Sequence, residues 1–377
     1  MNILILTCGT GGGHNAAARA VEEAALRRGH AVTLMNPYSL CPDGTEESID
    51  KAYIELVQKA PGLFGAAYAL GNTYRRLPFR SPLYFANRRV ADIMARYLAE
   101  HPADAVIMTH LFPAQIFTYL KDHDRPVPKM LFIATDYTCI PFTEECRPDA
   151  CVIPAESLRD EFMGRGIPGE ILAPFGIPVS GAFTAAGTLT GEARQAARRE
   201  ARRRLCLDSR REILIAGGSM GAGHLVPLVR RLNERITPAD CHMTVICGSN
   251  EALRDELDTV DAPMTLLGRT DNMADYLLAC DLYMTKPGGL STTEAAVARV
   301  PLALLPPIPG CETRNRAFFA DNGLAVRVDI TDEGLDDALS LMADPDAQEA
   351  MAARQAALIR PDAAERICRL AEELCGA

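Results

Sequence analysis

Short, continuous apolar runs alternate with longer stretches in which apolar residues recur every three to four positions, and this alternation repeats along most of the chain. The first run, 2–6, leads into an amphipathic stretch at 14–28 that Gly29 and His30 stop, and a second run follows at 31–35. A change from strand period to helix period and back is the pattern of a strand–helix–strand unit. Further strands are predicted at 105–109, 130–134, near 150–153 and at 171–174. From Glu212 the alternation restarts, with strands at 213–216, 243–247, 264–267, 281–285 and 302–305 and helices at 222–235, 250–257, 273–278 and 291–298. Apolar strands separated by helices predict parallel sheets covered on both faces, hence an α/β fold of two doubly wound, Rossmann-like domains. Between 37 and 101 the pattern is helical without a clear strand, and after Pro345 only helix remains.

The chain of 377 residues exceeds the size at which one core usually stops growing. The pattern divides it into a domain at 1–185 and a second at 206–360. The polar, arginine-rich stretch 187–211 reads as the approach to the second domain, and the last helix, 361–377, is expected to pack back on the first. A net charge of −10 argues against general nucleic-acid binding. The twelve cysteines show no metal-ligand spacing and read as reduced thiols, which suits a cytoplasmic protein. No run reaches the roughly 20 apolar residues of a spanning helix, so any membrane contact is expected to be peripheral.

Three predicted strand ends carry glycine turns. Thr10-Gly11-Gly12-Gly13-His14 follows the first strand, Gly217-Gly218-Ser219-Met220-Gly221 opens the second half, and Lys286-Pro287-Gly288-Gly289 precedes Ser291-Thr292-Thr293-Glu294. A glycine turn opening a helix presents unpaired N–H groups and a partial positive charge, which suits an anion. Glu294, in or near the first turn, could cap that helix or accept both hydroxyls of a ribose. The first loop departs from G-x-G-x-x-G and the second strand ends in Asn36-Pro37 rather than an acid, which argues against a nicotinamide cofactor. His110 and Thr135-Asp136 stand just past apolar strands, where doubly wound folds bind ligands, although loop or capping roles stay open. Between 72 and 90 five arginines (Arg75, Arg76, Arg80, Arg88, Arg89) interleave with Tyr74, Phe79, Tyr84 and Phe85, with no acid among them. This stretch reads either as a solvated helix face or as an interfacial segment for an anionic membrane surface.

Taken in order, these motifs, with Thr109-His110, Phe175-Gly176-Ile177-Pro178-Val179 and Pro309-Gly310-Cys311-Glu312-x-x-Asn315, resemble the monogalactosyldiacylglycerol synthase and processive diacylglycerol glucosyltransferase family. The resemblance covers nearly the whole chain and extends more distantly to the cell-wall enzyme that adds N-acetylglucosamine to a lipid-linked muramyl precursor. It implies the GT-B glycosyltransferase architecture, two domains facing across a cleft, and an inverting transfer of a hexose from UDP-glucose or UDP-galactose to a diacylglycerol-type lipid at the membrane surface.

Carried over residue by residue, the resemblance places the donor on Gly218, Ser219, Met220 and Gly221 and on Lys286, Gly288, Gly289, Leu290, Ser291 and Thr292, which would hold the diphosphate. Glu294 would take the ribose, Arg269 and Thr270 the uracil side, and Glu312 and Asn315 the sugar. His14 would be the general base, kept neutral by the helix N-terminus, with Asp136 orienting it or standing in for it. Gly12, Gly13 and His110 would line the acceptor side, and Arg75, Arg76, Phe79, Arg80, Tyr84 and Phe85 would meet the membrane. No metal and no cofactor are expected, because helix dipoles would stabilise the leaving UDP. Cys311 stands where the family has Gln, so the identity of the sugar stays open. Other classes with this architecture are a UDP-sugar 2-epimerase, which needs no lipid, a transferase using a polyprenyl-linked cell-wall acceptor, and a silent nucleotide-sugar sensor, which needs no His14.

Overall fold

The computed structural model describes residues 1–9, 11–41, 46, 61–75, 79–208 and 210–376. They form two units: Met1–Ser180 with Pro309–Cys311 and Arg360–Ala377, and Gly181–Ile308 with Glu312–Ile359.

In the first unit β1 (Asn2–Leu6), β2 (Ala31–Met35), β3 (Ala105–Met108), β4 (Lys129–Ile133), β5 (Ala150–Val152) and β6 (Leu172–Ala173) form one parallel sheet in the order β2-β1-β3-β4-β5-β6. Apart from exposed Asn2 and Lys129 at the starts of β1 and β4, the inner strands are apolar and buried because helices cover both faces, whereas edge strand β2 is only partly buried. From β1 the chain runs outward to β2 on one side and resumes on the other side with β3, which places the topological switch point between the ends of β1 and β3. The core draws on both ends of the chain. Ile3, Ile5, Val21, Ile107, Leu131 and Val152 pack with Ala364, Ile367, Cys368 and Ala371 of the last helix, Ala363–Cys375. Alanines at 18, 24 and 25 keep the facing side of the helix Gly12–Arg27 shallow enough for that contact. At its rim Arg28 and His30 both bond Glu372, and Arg27 bonds Glu365.

Ile367 is fully buried, so Ile367→Ala is expected to destabilise this unit by about 2–4 kcal/mol, the cost of a lost side chain plus the cavity it leaves. Urea denaturation followed by fluorescence or circular dichroism checks it. A loss below about 1 kcal/mol would mean the terminal helix is only loosely attached.

The second unit repeats the plan with β7 (Arg211–Ala216), β8 (Cys241–Ile246), β9 (Met264–Leu267), β10 (Leu282–Thr285), β11 (Leu302–Leu304) and β12 (Val326–Arg327), all parallel, in the order β12-β11-β10-β7-β8-β9. Its switch point lies between β7 and β10. β12 is two residues long and too short to register as an apolar run, which is why the sequence pattern shows five strands here and the structure six.

The helix Gly191–Arg204 is attached by guanidinium groups in place of an apolar face, since Ala201 is its one buried residue. Arg194 donates to the carbonyls of Ala298 and Arg299, just past the helix Gly289–Val297, and to Ala186, while Arg202 donates to the carbonyl of Ala279 at the end of Met273–Ala279. Cations at helix C-termini satisfy carbonyls that have no intrahelical donor and complement the helix dipole. Arg198 adds an ion pair to Asp281.

Candidate active site

At the switch point of the first unit, the chain leaves β1 and enters the helix Gly12–Arg27, with Gly11 as N-cap and His14 as the third helical residue. Nδ1 of His14 lies 2.8 Å from the carbonyl oxygen of Thr109, just past β3, and 3.0 Å from Thr135 Oγ1, just past β4. A carbonyl can only accept, so Nδ1 carries the ring proton and Nε2 keeps its lone pair. Thr109 Oγ1 returns a bond to the His14 carbonyl at 3.1 Å, locking strand end and helix start together. Burial lowers the His14 pKa below its usual 6.5, against the smaller raising effects of the Asp136 charge and the Thr109 bond. The imidazole is therefore neutral at neutral pH, as the sequence implied, with desolvation as the main cause.

Asp136 was expected to orient this ring. The bonds to Nδ1 come instead from Thr109 and Thr135, and Asp136 acts on the imidazole through its charge. His110 caps the helix Leu111–Asp122: its Nδ1 accepts the N–H of Phe112 at 3.2 Å, which places its proton on Nε2. Its ring stands edge-on to His14, 4.5 Å between centroids and 88° between planes. Burial, with His14 beside it, holds its pKa well below 6.5, so it too stays neutral. Both readings of His110, capping residue and pocket residue, thus apply to one side chain.

In the second unit the loop after β7 and the loop after β10 flank the switch point. Gly218 has φ +71°, and a Cβ there would lie 2.9 Å from Lys286 Cε, so the lysine runs across the bare glycine backbone. Gly221 has φ +58° and its Cβ would fall 2.0 Å from the Cys247 carbonyl oxygen, so only glycine lets this loop seat against the loop after β8. The helix Gly289–Val297 has Gly288 as N-cap with no side-chain cap, which leaves the N–H groups of Gly289, Leu290 and Ser291 without intrahelical acceptors.

That helix start changes the reading of several residues. Glu294 is the sixth helical residue, beyond the first turn, and cannot cap the helix. Its carboxyl is half-buried and makes no hydrogen bond or ion pair with the described residues, and burial pushes its pKa up to about 8. Thr292 is no hydroxyl donor to a ligand: it is fully buried and donates to the Gly288 carbonyl at 2.9 Å. Leu290 is a core side chain, so only its N–H faces the loop side.

Glu312 and Asn315, expected on the sugar, bond the turn at 286–288 itself. They lie on the helix that Cys311 opens, Cys311–Asp321. Asn315 is fully buried and donates to the Pro287 carbonyl at 3.0 Å, while Glu312 accepts from Lys286 Nζ and, at 2.9 Å, from the Ile308 N–H. Ser219 and Met220 stay partly exposed on the first loop, Arg269 is exposed past β9, and Thr270 Oγ1 accepts the Asn272 N–H.

The basic aromatic stretch splits in two. Arg75 was expected at the membrane, but its side chain is 3% exposed and bonds Glu144 and the Cys139 carbonyl. Arg80 is likewise committed, bonding Asp122 and the Glu145 carbonyl and lying over the ring of Tyr84, which is itself buried and donates to Asp122. The acids that neutralise these arginines come from 122–145, outside the stretch that looked purely basic. Phe79 and Phe85 remain 68% and 61% exposed, and Arg88 and Arg89 are exposed with no ion pair among the described residues. Arg76, Thr10 and Pro78 lie outside the described residues. Two Asp-x-Asp triplets occur: Asp122 of the first is spent on Arg80 and Arg147, and Asp344 of the second caps the helix Pro345–Leu358. Among the described residues no group of three His, Cys, Asp or Glu could hold a metal ion.

Residues 14–179 match the family model for monogalactosyldiacylglycerol (MGDG) synthase, and residues 212–367 match that for the glycosyltransferase family 28 C-terminal domain. The chain is 25% identical over 351 residues to a processive diacylglycerol beta-glucosyltransferase of Bacillus subtilis, covering 91% of this chain and 87% of that one. It is 25% identical over 348 residues to monogalactosyldiacylglycerol synthase 2, chloroplastic, of Arabidopsis thaliana, covering 86% and 70%. In fold it is similar to MurG of Acinetobacter baumannii, with a TM-score of 0.61, 18% identity and 99% of each chain covered.

Proposed function

We propose, from the match of its first half to the monogalactosyldiacylglycerol synthase model and of its second half to the glycosyltransferase family 28 C-terminal model, that the chain transfers a hexose from a UDP-sugar to a diacylglycerol-type lipid, inverting the anomeric carbon. The observation that carries the donor half of this reading is Glu294, a half-buried carboxyl unpaired among the described residues and one turn past a helix start whose first N–H groups have no intrahelical acceptor. Such an acceptor fits the two hydroxyls of a ribose, and the N–H groups fit the attached diphosphate. In the reaction His14 Nε2 takes the proton of the lipid hydroxyl. The freed oxygen bonds the anomeric carbon, whose bond to the diphosphate oxygen breaks and leaves its electron pair on UDP. The helix start and Lys286 would stabilise that charge.

Incubation with radiolabelled UDP-glucose or UDP-galactose and mixed lipid vesicles tests the reading, with label expected in the lipid fraction. Label only in a free 2-epimeric nucleotide sugar would replace it with the epimerase reading. On this reading the helix N-terminus and Lys286 stabilise the leaving diphosphate, and turnover is expected to keep within about twofold after treatment with EDTA. A tenfold loss restored by Mg²⁺ would make a metal part of the machinery.

No helix among the described residues is long and apolar enough to cross a membrane. We place the lipid contact on Phe79, Phe85, Arg88 and Arg89, the exposed remainder of the basic stretch. Arginines near an anionic surface contribute about 1 kcal/mol each, screened by salt, and the rings add an apolar share that salt leaves intact. Changing Arg88 and Arg89 to Gln should lower sedimentation with anionic vesicles at low salt about tenfold, and further changing Phe79 and Phe85 to Ser should abolish it. Binding of UDP, which belongs to the second unit, should be unaffected. Equal sedimentation of variant and wild type would move the lipid contact elsewhere.

A further inference from the structure

A small hollow adjoins His14 in the first unit, lined by His110, Thr135, Asp136, Thr138 and Thr143 among others. Its free space is that of about one water molecule. Thr138 and Thr135 already spend their hydroxyls, on Glu161 at 2.6 Å and on His14. Thr143 does not. Its Oγ1 is buried without a hydrogen-bond partner, and of the four buried polar atoms in that condition among the described residues it alone lines this hollow. A buried hydroxyl left unpaired is costly, and a native fold keeps one mainly where an ordered water completes it.

The backbone supports the same reading. Phe142, directly before Thr143, holds φ +71°, a left-handed conformation that a bulky residue rarely adopts. Its ring stands edge-on to Tyr74, 6.1 Å between centroids, and lies against the position of Gly71, so neighbouring packing holds the strained residue. Strain held in place beside a polar hollow is a feature of positions that a fold fixes for function.

We infer that the hollow is a built site for one internal water, fixed by Thr143, and that this water steadies the positive charge His14 acquires when it takes the acceptor's proton. The inference rests on the reading of His14 as the base. The ionisable groups facing His14 are His110, whose Nε2 carries its proton, and Asp136. Both line the same hollow. Because the site is desolvated, each dipole that can turn toward the imidazolium counts for more than it would in water. Thr143 is thus a positioning residue acting through the water.

A crystal structure of the wild type that resolves ordered solvent should show one water within hydrogen-bond distance of Thr143 Oγ1, and a dry hollow overturns the inference. Thr143→Val should lower kcat about 2–10-fold, the usual weight of one hydrogen bond, and shift the acid limb of its pH profile to lower pH. The KM for the UDP-sugar should not change, and Thr143→Ser should restore both properties. A wild-type pH profile in Thr143→Val removes the charge-steadying role. If His14→Ala kept its turnover, the base reading would fail with it, even with the water present in density. Should Thr143→Val fail to fold, the wild-type density and Thr143→Ser still decide the question, since Thr143→Ser must then keep both water and profile.

Discussion

His14→Ala is expected to lower turnover about 10²–10⁴-fold, the usual share of a positioned general base, with UDP affinity nearly unchanged. Affinity should survive because the residues assigned to UDP lie in the second unit and His14 in the first. The Thr109 carbonyl and Thr135 hydroxyl hold Nδ1–H, so in the proposed role Nε2 is the atom left to take the proton, and only the neutral ring can do so. Burial lowers the pKa, so the acid limb of the wild-type kcat/KM profile should lie below pH 6.5: activity is present above that limb and falls as His14 protonates. Steady-state kinetics of wild type and variant from pH 5 to 8 check both statements. A variant within about threefold of wild type at saturating substrate would transfer the role to Asp136.

Glu294→Ala should weaken UDP about 10–150-fold, corresponding to the roughly 1.5–3 kcal/mol of hydrogen bonds to a charged acceptor. The pH dependence has a definite sign. With a pKa near 8 the free carboxyl is mostly protonated at pH 7, and hydroxyls donating to it favour the ionised form. UDP should therefore bind with release of a proton, and its affinity should rise with pH up to about 8. Calorimetry in two buffers of different ionisation enthalpy measures that release directly, and Glu294→Ala should remove it. Unchanged affinity and unchanged proton release in an intact fold would leave Glu294 without a role at the nucleotide.

Asn315 and Glu312 look in sequence like ligand contacts, and in the structure they bond the 286–288 turn. Polar residues near a motif can touch the ligand or the loop that touches it, and residue type does not distinguish the two. Arg75 makes the same point for charge: between 72 and 90 no acid is present, but the fold brings in Glu144 from about seventy residues away. Thr143, whose type and neighbours carry no signal, becomes notable only once its hydroxyl is seen to be buried and unpaired.

By itself the sequence determined the α/β class, the positions of nearly all strands to within one or two residues, and the glycine turns at the strand ends. Continuous apolar runs, helical periodicity and glycine spacing are local properties, set by backbone sterics and by burial on both sheet faces. His14 and Glu294 were legible for the same reason, since each follows a glycine turn at a helix start. The tertiary structure decided what depends on non-local neighbours: the strand orders that place both switch points, the tautomer of His14 through Thr109 and Thr135, and the neutralisation of Arg75 and Arg80. It also decided that Glu294 lies past the first turn, because the helix begins at Gly289 with Gly288 at the N-cap position, and that its carboxyl has no partner among the described residues. Hydrogen-bond partners and desolvation depend on which distant segments arrive at a given point in space, and no local pattern of residues encodes that.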